Sequence, residues 1–257
     1  MVFNKKSLFW ILVTKKPFRL WEIDFLRGIA VVMMIAFHFF YDLNFFSIYE
    51  IDLHSGPFPL FLYPIGTTFL LLVGISLSLS YSRVEDTKNR RQLQLKFILR
   101  GSKIFGLGLL ITLVTWIYLQ DGFVVFGILH CIGLSIILVY PFLRFKIRNL
   151  IIGVLLVSVG VYLKTLTFDF GWLLWLGFRP SQFYTVDYFP ILPWFGVVLI
   201  GIFVGNTLYP YHKRRFKLKD VSRIRFVKLF CFLGRHSLII YFLHQPVIIL
   251  LVYLFLL

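Results

Sequence analysis

The segment RLWEIDFLRGIAVVMMIAFHFFYDLNFF, residues 19–46, decides the fold class, because it places two ionisable groups inside a run of apolar side chains. From Ile29 to Phe46 nearly every residue is apolar, and a transmembrane helix needs roughly 20 such residues. His38 and Asp42 are four residues apart, which puts them on one face of the predicted helix. Burying such groups in lipid is costly, so the pair is a candidate functional site.

The rest of the chain repeats this apolar pattern. Of its 257 residues 59% are hydrophobic and 19% aromatic, which excludes an ordinary soluble globular protein. We predict an all-α integral membrane protein, a bundle of about seven transmembrane helices that forms one domain over residues 19–257, after a basic interfacial arm over residues 1–18. The predicted spans cover residues 29–46, 60–80, 104–119, 123–143, 149–166, 190–209 and 237–257.

The basic residues predict the orientation in the membrane. A net charge of +16 can indicate nucleic-acid binding, but all 27 Lys and Arg residues except Lys164 and Arg179 fall in the N-terminal region or in alternate connecting segments. Cytoplasmic segments carry such an excess of positive charge. We therefore expect a cytoplasmic N-terminus, an outer C-terminus and no nucleic-acid partner.

The cysteines and glycines indicate roles in packing. Cys131 and Cys231 fall in or beside predicted spans at opposite ends of the membrane, so no disulfide is expected. Gly201 and Gly205 form a GxxxG step in the sixth predicted span, which favours close helix packing. None of the common metal-site spacings occurs in the chain, and no metal is expected.

The polar residues near the membrane suggest catalysis and phosphate binding. His38 lies eleven residues beyond Arg27, about 16 Å along a helix and near mid-bilayer. An imidazole oriented by a carboxylate, here Asp42, suits a general base; the alternative is a polar pair that joins helices. Arg27 and Arg235 adjoin apolar spans and match phosphate oxygens, although attraction to anionic lipid also explains such arginines.

Other polar candidates are distributed over the rest of the chain. His130, His244 and Gln245 fall in predicted spans, and His54 precedes the second span on the outer side. His130 and His244 are predicted at intermediate depth, where they could face the same cavity as His38. For each histidine a structural role is the alternative.

Five segments of the chain resemble, in their order, the heparan-alpha-glucosaminide N-acetyltransferase catalytic-domain family. The resemblance covers nearly the whole chain from Arg19 onward. The opening DFLRGIA with a histidine one helix length further on is also similar to the broader superfamily of membrane acyltransferases. The segments are IDFLRGIAVVMMIAFHFFYDL, HSGPFPLFLYPIGTTFLLLVGISLSLS, GILHCIGLSIILVYPFL, DYFPILPWFGVVLIGIFVG and LGRHSLIIYFLHQPVI.

This resemblance implies transfer of an acetyl group from cytoplasmic acetyl-CoA to an acceptor at the outer face. In the family-three O-acyltransferases the catalytic histidine of the motif corresponds to His38, whereas in the heparan-type enzymes the active histidine falls nearest to His54, and the sequence leaves this choice open. The chain lacks the long luminal domain of the lysosomal enzyme. The expected acceptor is therefore a surface glycan, a lipid-linked sugar or another amine or hydroxyl.

The resulting hypothesis assigns a role to each candidate. His38, oriented by Asp42, deprotonates the acceptor, and Arg27 and Arg235 hold the phosphates of the acyl-CoA donor. His130, His244, Gln245 or a backbone N–H near Pro246 stabilises the oxyanion, with no ranking among them.

Two other classes of function compete with this hypothesis. One is a transporter or flippase whose histidines relay protons without covalent chemistry, and the other is a non-catalytic scaffold or sensor. We expect the protein in a prokaryotic cell membrane, in contact with membrane lipid. The oligomeric state is left open, a homodimer included.

Overall fold

The computed structural model describes residues 19–50, 58–85 and 89–256. Within them the protein is all-helical, as predicted, with three short 3-10 helices and two isolated β-bridges. The eight α-helices of the described residues are α1 (Trp21–Phe45), α2 (Phe58–Ser82), α3 (Arg90–Leu119), α4 (Ile128–Leu138), α5 (Ile147–Leu163), α6 (Ile191–Leu208), α7 (Arg225–Arg235) and α8 (Ser237–Phe255).

Five of these helices, α1, α2, α3, α6 and α8, are long and apolar enough to cross a membrane. α5 is apolar but has 17 residues, and α4 has 11. At about 1.5 Å per residue, α4 is roughly half as long as the hydrocarbon core is thick. The seven-span count and the cytoplasmic N-terminus therefore stay predictions.

α4 is shorter than the predicted span over residues 123–143. Its first residue is Ile128, because the preceding backbone bonds to another loop: the N–H of Val186 donates to the Gly122 carbonyl and that of Phe189 to the Phe126 carbonyl, both at 2.9 Å. A 3-10 turn, Tyr140–Phe142, follows its end. His130 consequently lies in the first turn of α4 and not seven residues into a helix, as the predicted span implied.

The chain divides into two compact units, and the division falls within α1. The larger unit comprises residues 36–219, and the smaller comprises the residues up to Ile35 and from Asp220 onward. The single domain over residues 19–257 stays a prediction. In the smaller unit α7 packs on the first turns of α1, and α8 follows α7 directly.

In the larger unit α6 packs against both α2 and α5, and α3 pairs with α4. The predicted close packing at the GxxxG step is confirmed. A Cβ atom added to Gly201 would collide with the Leu71 carbonyl of α2, and one added to Gly205 would lie 2.8 Å from the Ser78 side chain. Small residues thus let the α2 and α6 backbones meet, as in other membrane helix pairs. Cys131 and Cys231 are buried free thiols.

Two asparagines fix the loop between α4 and α5. The Asn206 amide of α6 donates to the carbonyls of Leu143 and Phe145, each at 2.9 Å, and its oxygen accepts a hydrogen bond from Ser78 at 2.6 Å. Asn149 of α5, which is fully buried, donates to the Phe145 carbonyl at 2.8 Å. Buried carbonyls need such donors, so the asparagines hold this loop against the helical core.

Candidate functional site

His130 is the centre of a polar cluster at the start of α4. Its Nδ1 accepts the N–H of Gly127 at 3.2 Å, and its Nε2 lies 3.3 Å from the Thr112 hydroxyl of α3. Because Nδ1 accepts from the backbone, the neutral ring carries its hydrogen on Nε2 and donates it toward Thr112. The ring is 2% exposed. This geometry makes His130 a cap for α4 and an N–H donor, not a proton acceptor.

The space for the His130 ring is made by its neighbours. A Cβ added to Gly108 of α3 would lie 3.0 Å from the ring, a tight contact, so glycine lets the ring approach α3 without displacement. Phe105 meets the ring edge to face at 5.2 Å between centroids, and Phe126 lies 5.4 Å away. Aromatic walls of this kind exclude water and strengthen the hydrogen bonds of the imidazole.

Asp187 completes the cluster from the loop that precedes α6. Its Oδ2 accepts the N–H of Ile128 at 3.0 Å, so it caps the N-terminus of α4 across 59 residues of sequence. A Cβ on Gly127 would collide with this oxygen. Burial raises the pKa of Asp187 from 3.8 to about 6, although the Ile128 N–H opposes the rise. Asp187 was not among the candidate site residues that the sequence indicated.

The end of α1 that carries His38 and Asp42 approaches the same loop. Tyr41 shares a side-chain hydrogen bond with Tyr184, three residues before Asp187. α1 is helical through His38 and Asp42, so the predicted i, i+4 spacing on one face is confirmed. Asp42 is 3% exposed, whereas His38 is only partly buried and meets the Phe37 ring edge to face at 5.5 Å. A buried carboxylate thus lies one turn from a more accessible imidazole.

His244 and Gln245 lie in the middle of α8, in the smaller unit. The His244 Nδ1 donates to the Tyr241 carbonyl at 2.7 Å, so the neutral ring bears its lone pair on Nε2. This tautomer is the opposite of that of His130. The expectation of an oxyanion donor from a backbone N–H near Pro246 is wrong, because α8 is helical through this residue and proline removes a donor without adding one.

The two predicted phosphate-binding arginines both lie in the smaller unit. Arg27 pairs with Asp24 one turn earlier on α1, with 3.3 Å between Nη1 and Oδ1. The Arg235 Nε donates to the Cys231 carbonyl of its own helix at 3.0 Å. Each guanidinium group has further N–H donors. His54 lies outside the described residues, and its predicted role stays a prediction.

Comparison with known protein families gives a match that covers nearly the whole chain. A family model described as Heparan-alpha-glucosaminide N-acetyltransferase, catalytic, matches residues 19–246. The chain belongs to this family. No curated protein and no solved structure matches it in the same comparisons.

The heparan-alpha-glucosaminide N-acetyltransferase family consists of membrane acetyltransferases, and membership confirms the predicted class of the protein. The matched residues include every predicted site residue and Asp187. Among the residues that the structure describes, no three His, Cys, Asp or Glu side chains are grouped as a metal site would require.

Proposed function

We propose that this protein transfers an acetyl group from acetyl-CoA on the cytoplasmic side to a hydroxyl or amine at the outer face, on a surface glycan, a lipid-linked sugar or a similar acceptor. The observation that carries the proposal is the family match over residues 19–246. The basic residues support the sidedness, because they gather at one predicted side, where the phosphates of the donor would arrive.

His38 is the proposed general base, and Asp42 orients it. The acceptor gives its O–H or N–H proton to an imidazole nitrogen while its lone pair attacks the thioester carbonyl carbon. The carbon–sulfur bond then breaks, and the departing thiolate takes the proton from the imidazolium. The partial exposure of His38 and the burial of Asp42 one turn away support these roles, since a buried carboxylate favours the charged ring.

The oxyanion that forms during this attack needs a donor. His130 has an Nε2 hydrogen, which points toward Thr112 in this structure. His244 in its neutral tautomer has none at Nε2 and suits the binding of an acceptor hydroxyl instead. Gln245 and His130 are the remaining side-chain candidates for the oxyanion donor, with no ranking between them, and Arg27 and Arg235 are proposed to hold the phosphates of the donor substrate.

His54 is the alternative to His38 as the principal histidine. It falls nearest to the active histidine of the heparan-type enzymes, and in that role it would carry or accept the acetyl group. The two assignments predict that acetyl transfer is lost on replacement of different histidines, so the variants His38→Ala and His54→Ala distinguish them.

The test uses purified protein in lipid vesicles with labelled acetyl-CoA and a set of sugar acceptors. His38→Ala is expected to lower transfer at least about 100-fold, the usual contribution of a general base, and Asp42→Asn to lower it with little change in acceptor KM. His212→Ala, on the 3-10 helix Pro210–His212, is the matched control and should retain transfer.

Each of the other outcomes supports a different residue or a different class of function. Full activity of His38→Ala with loss in His54→Ala would reject His38 as the base. Gradient-driven movement of a substrate without loss of the acetyl label would indicate the transporter. Binding of acetyl-CoA with neither result would favour the scaffold.

A further inference from the structure

The short helix α7 exposes an apolar strip although it lies in a basic segment. Val227, Cys231 and Gly234 form its buried face, whereas Phe226, Leu229 and Phe232 are 60%, 55% and 52% exposed. Arg225, Lys228 and Arg235 are exposed as well. At 3.6 residues per turn Arg225 falls between Leu229 and Phe232. The helix therefore turns one face to the protein and presents apolar and cationic side chains next to one another on its other side.

The contacts of α7 fix its position along α1. The α7 backbone at Gly234 meets the Asp24 carbonyl so closely that a Cβ would collide, and the Gly28 backbone meets the Phe230 carbonyl in the same way. The Cys231 thiol donates to the Trp21 carbonyl at 3.3 Å. Glycine allows this approach because it lacks a side chain. α7 thus crosses the first turns of α1 over residues 21–28.

These turns are the polar end of α1. They hold Glu22, Asp24 and Arg27, and the unbroken apolar run begins only at Ile29. Charged residues gather where a membrane helix leaves the hydrocarbon. α8, which is apolar apart from Ser237, His244 and Gln245, starts two residues after α7 ends. α7 therefore lies at the level of the membrane surface, between a water-facing segment and a spanning helix.

The charge of this region indicates the chemistry of its partner. From residue 221 to residue 257 the chain contains no Asp or Glu, while four basic residues lie within or just before α7. Arg225 and Lys228 border the exposed strip of Phe226 and Leu229. An anionic phospholipid presents both complementary surfaces, because its phosphate group lies at the membrane surface next to the layer of its acyl chains.

We propose that α7 is an interfacial helix that binds anionic phospholipid. Phe226 and Leu229 lie among the acyl chains, and Arg225 and Lys228 contact the phosphates. This binding is independent of acetyl transfer.

The position of the helix is tested with spin labels at Leu229→Cys and Lys228→Cys in vesicles that contain phosphatidylglycerol. The unsubstituted protein, treated with the same reagent, measures the background labelling of the buried Cys131 and Cys231. The label at residue 229 should be accessible to oxygen and protected from a water-soluble nickel reagent, and the label at residue 228 should show the reverse. Equal exposure of both labels to the nickel reagent would overturn the proposal.

The lipid preference is tested with spin-labelled phosphatidylglycerol and phosphatidylcholine. In the double variant Arg225→Gln with Lys228→Gln, the preference for phosphatidylglycerol should fall about fivefold for each cation removed. The control, Lys146→Gln with Arg148→Gln, removes the same charge from the loop before α5 and its first turn and should keep most of the preference. Equal losses in both double variants, or none in either, would contradict specific binding at α7.

The unsubstituted protein gives a further measurement that does not depend on how a variant folds. Raising the salt to about 1 M shortens the screening length to about 3 Å, so the phosphatidylglycerol preference should largely disappear while the label at residue 229 stays in the apolar layer. A preference that is insensitive to salt would reject the phosphate contacts.

Discussion

Replacement of Asp187 by asparagine should make the stability of this protein less dependent on pH. The carboxyl group has a folded pKa of about 6 against an ordinary 3.8, so between these values the folded state binds more protons than the unfolded state. Stability from this group is therefore fully present below about pH 4 and is lost as the pH rises through about 6.

The size of this effect follows from the shift. About two pKa units at roughly 1.4 kcal/mol each give about 3 kcal/mol. Asparagine keeps an oxygen that can accept the Ile128 N–H but cannot ionise. The Asp187→Asn protein should thus be close to the unsubstituted protein at low pH and up to about 3 kcal/mol more stable above pH 6. Asp187→Ala loses the cap and should be less stable by about 1–2 kcal/mol at low pH.

The measurement is unfolding by SDS in mixed micelles, followed by tryptophan fluorescence at about pH 4.5 and about pH 7.5. The free-energy difference between the Asp187→Asn and unsubstituted proteins should grow by about 2 kcal/mol between these values. Asp121→Asn, at an exposed residue, is the control and should show no such growth. A difference that is constant with pH, or that favours aspartate at the higher value, would refute the proposed burial of this carboxyl group.

Two packing predictions use the same assay. Gly201→Val should lower the free energy of unfolding by about 1–3 kcal/mol, because its Cβ would strike the Leu71 carbonyl. Gly106→Ala should raise the free energy of unfolding by about 0.5–1 kcal/mol, because the added carbon has no atom within 4 Å and glycine is unfavourable within a helix. Equal effects at the two glycines would contradict the packing of α6. Asn206→Ala should lower the free energy of unfolding by about 1–3 kcal/mol, because it leaves the Leu143 carbonyl without the amide donor of Asn206. If the loss is no larger than that of Gln92→Ala, at an exposed residue, the loop does not depend on this hydrogen bond.

The features that sequence analysis predicted well are local ones. The helical period alone places His38 and Asp42 on one face of α1, and the run of apolar residues around them establishes the class of protein. The GxxxG step at Gly201 and Gly205 is also local, and it marks the contact with α2. Such signals depend on residues that are neighbours in the chain, so no knowledge of the fold is needed to find them.

The missed features depend on contacts between distant segments. Asp187 caps α4 from 59 residues away, and nothing in the sequence near Ile128 indicates an acidic partner. The same pairing of loops shortened α4, so His130 lies in its first turn and not seven residues into a helix. Asn206 is likewise satisfied by carbonyls more than 60 residues away. Composition identifies such polar groups but not their partners.

α7 was missed for a different reason, because its signal is present in the sequence. Val227, Cys231 and Gly234 recur at intervals of three or four residues, the period of a helix with one buried face. Lys228 between them counts, in the sequence, only toward the positive charge of a predicted cytoplasmic segment. Eleven residues are too few to span a membrane, so a search for spans passes over this helix.

The most direct test of the central claim is the sidedness of acetyl transfer in vesicles that hold the protein in one orientation. Acetyl-CoA is supplied only on the side of the basic segments, and the acceptor sugar is enclosed on the other side. The account predicts that labelled acetyl groups appear on the enclosed acceptor and that supplying acetyl-CoA on the opposite side gives no product. Labelling that requires donor and acceptor on the same side, or no labelling from either side, would contradict it.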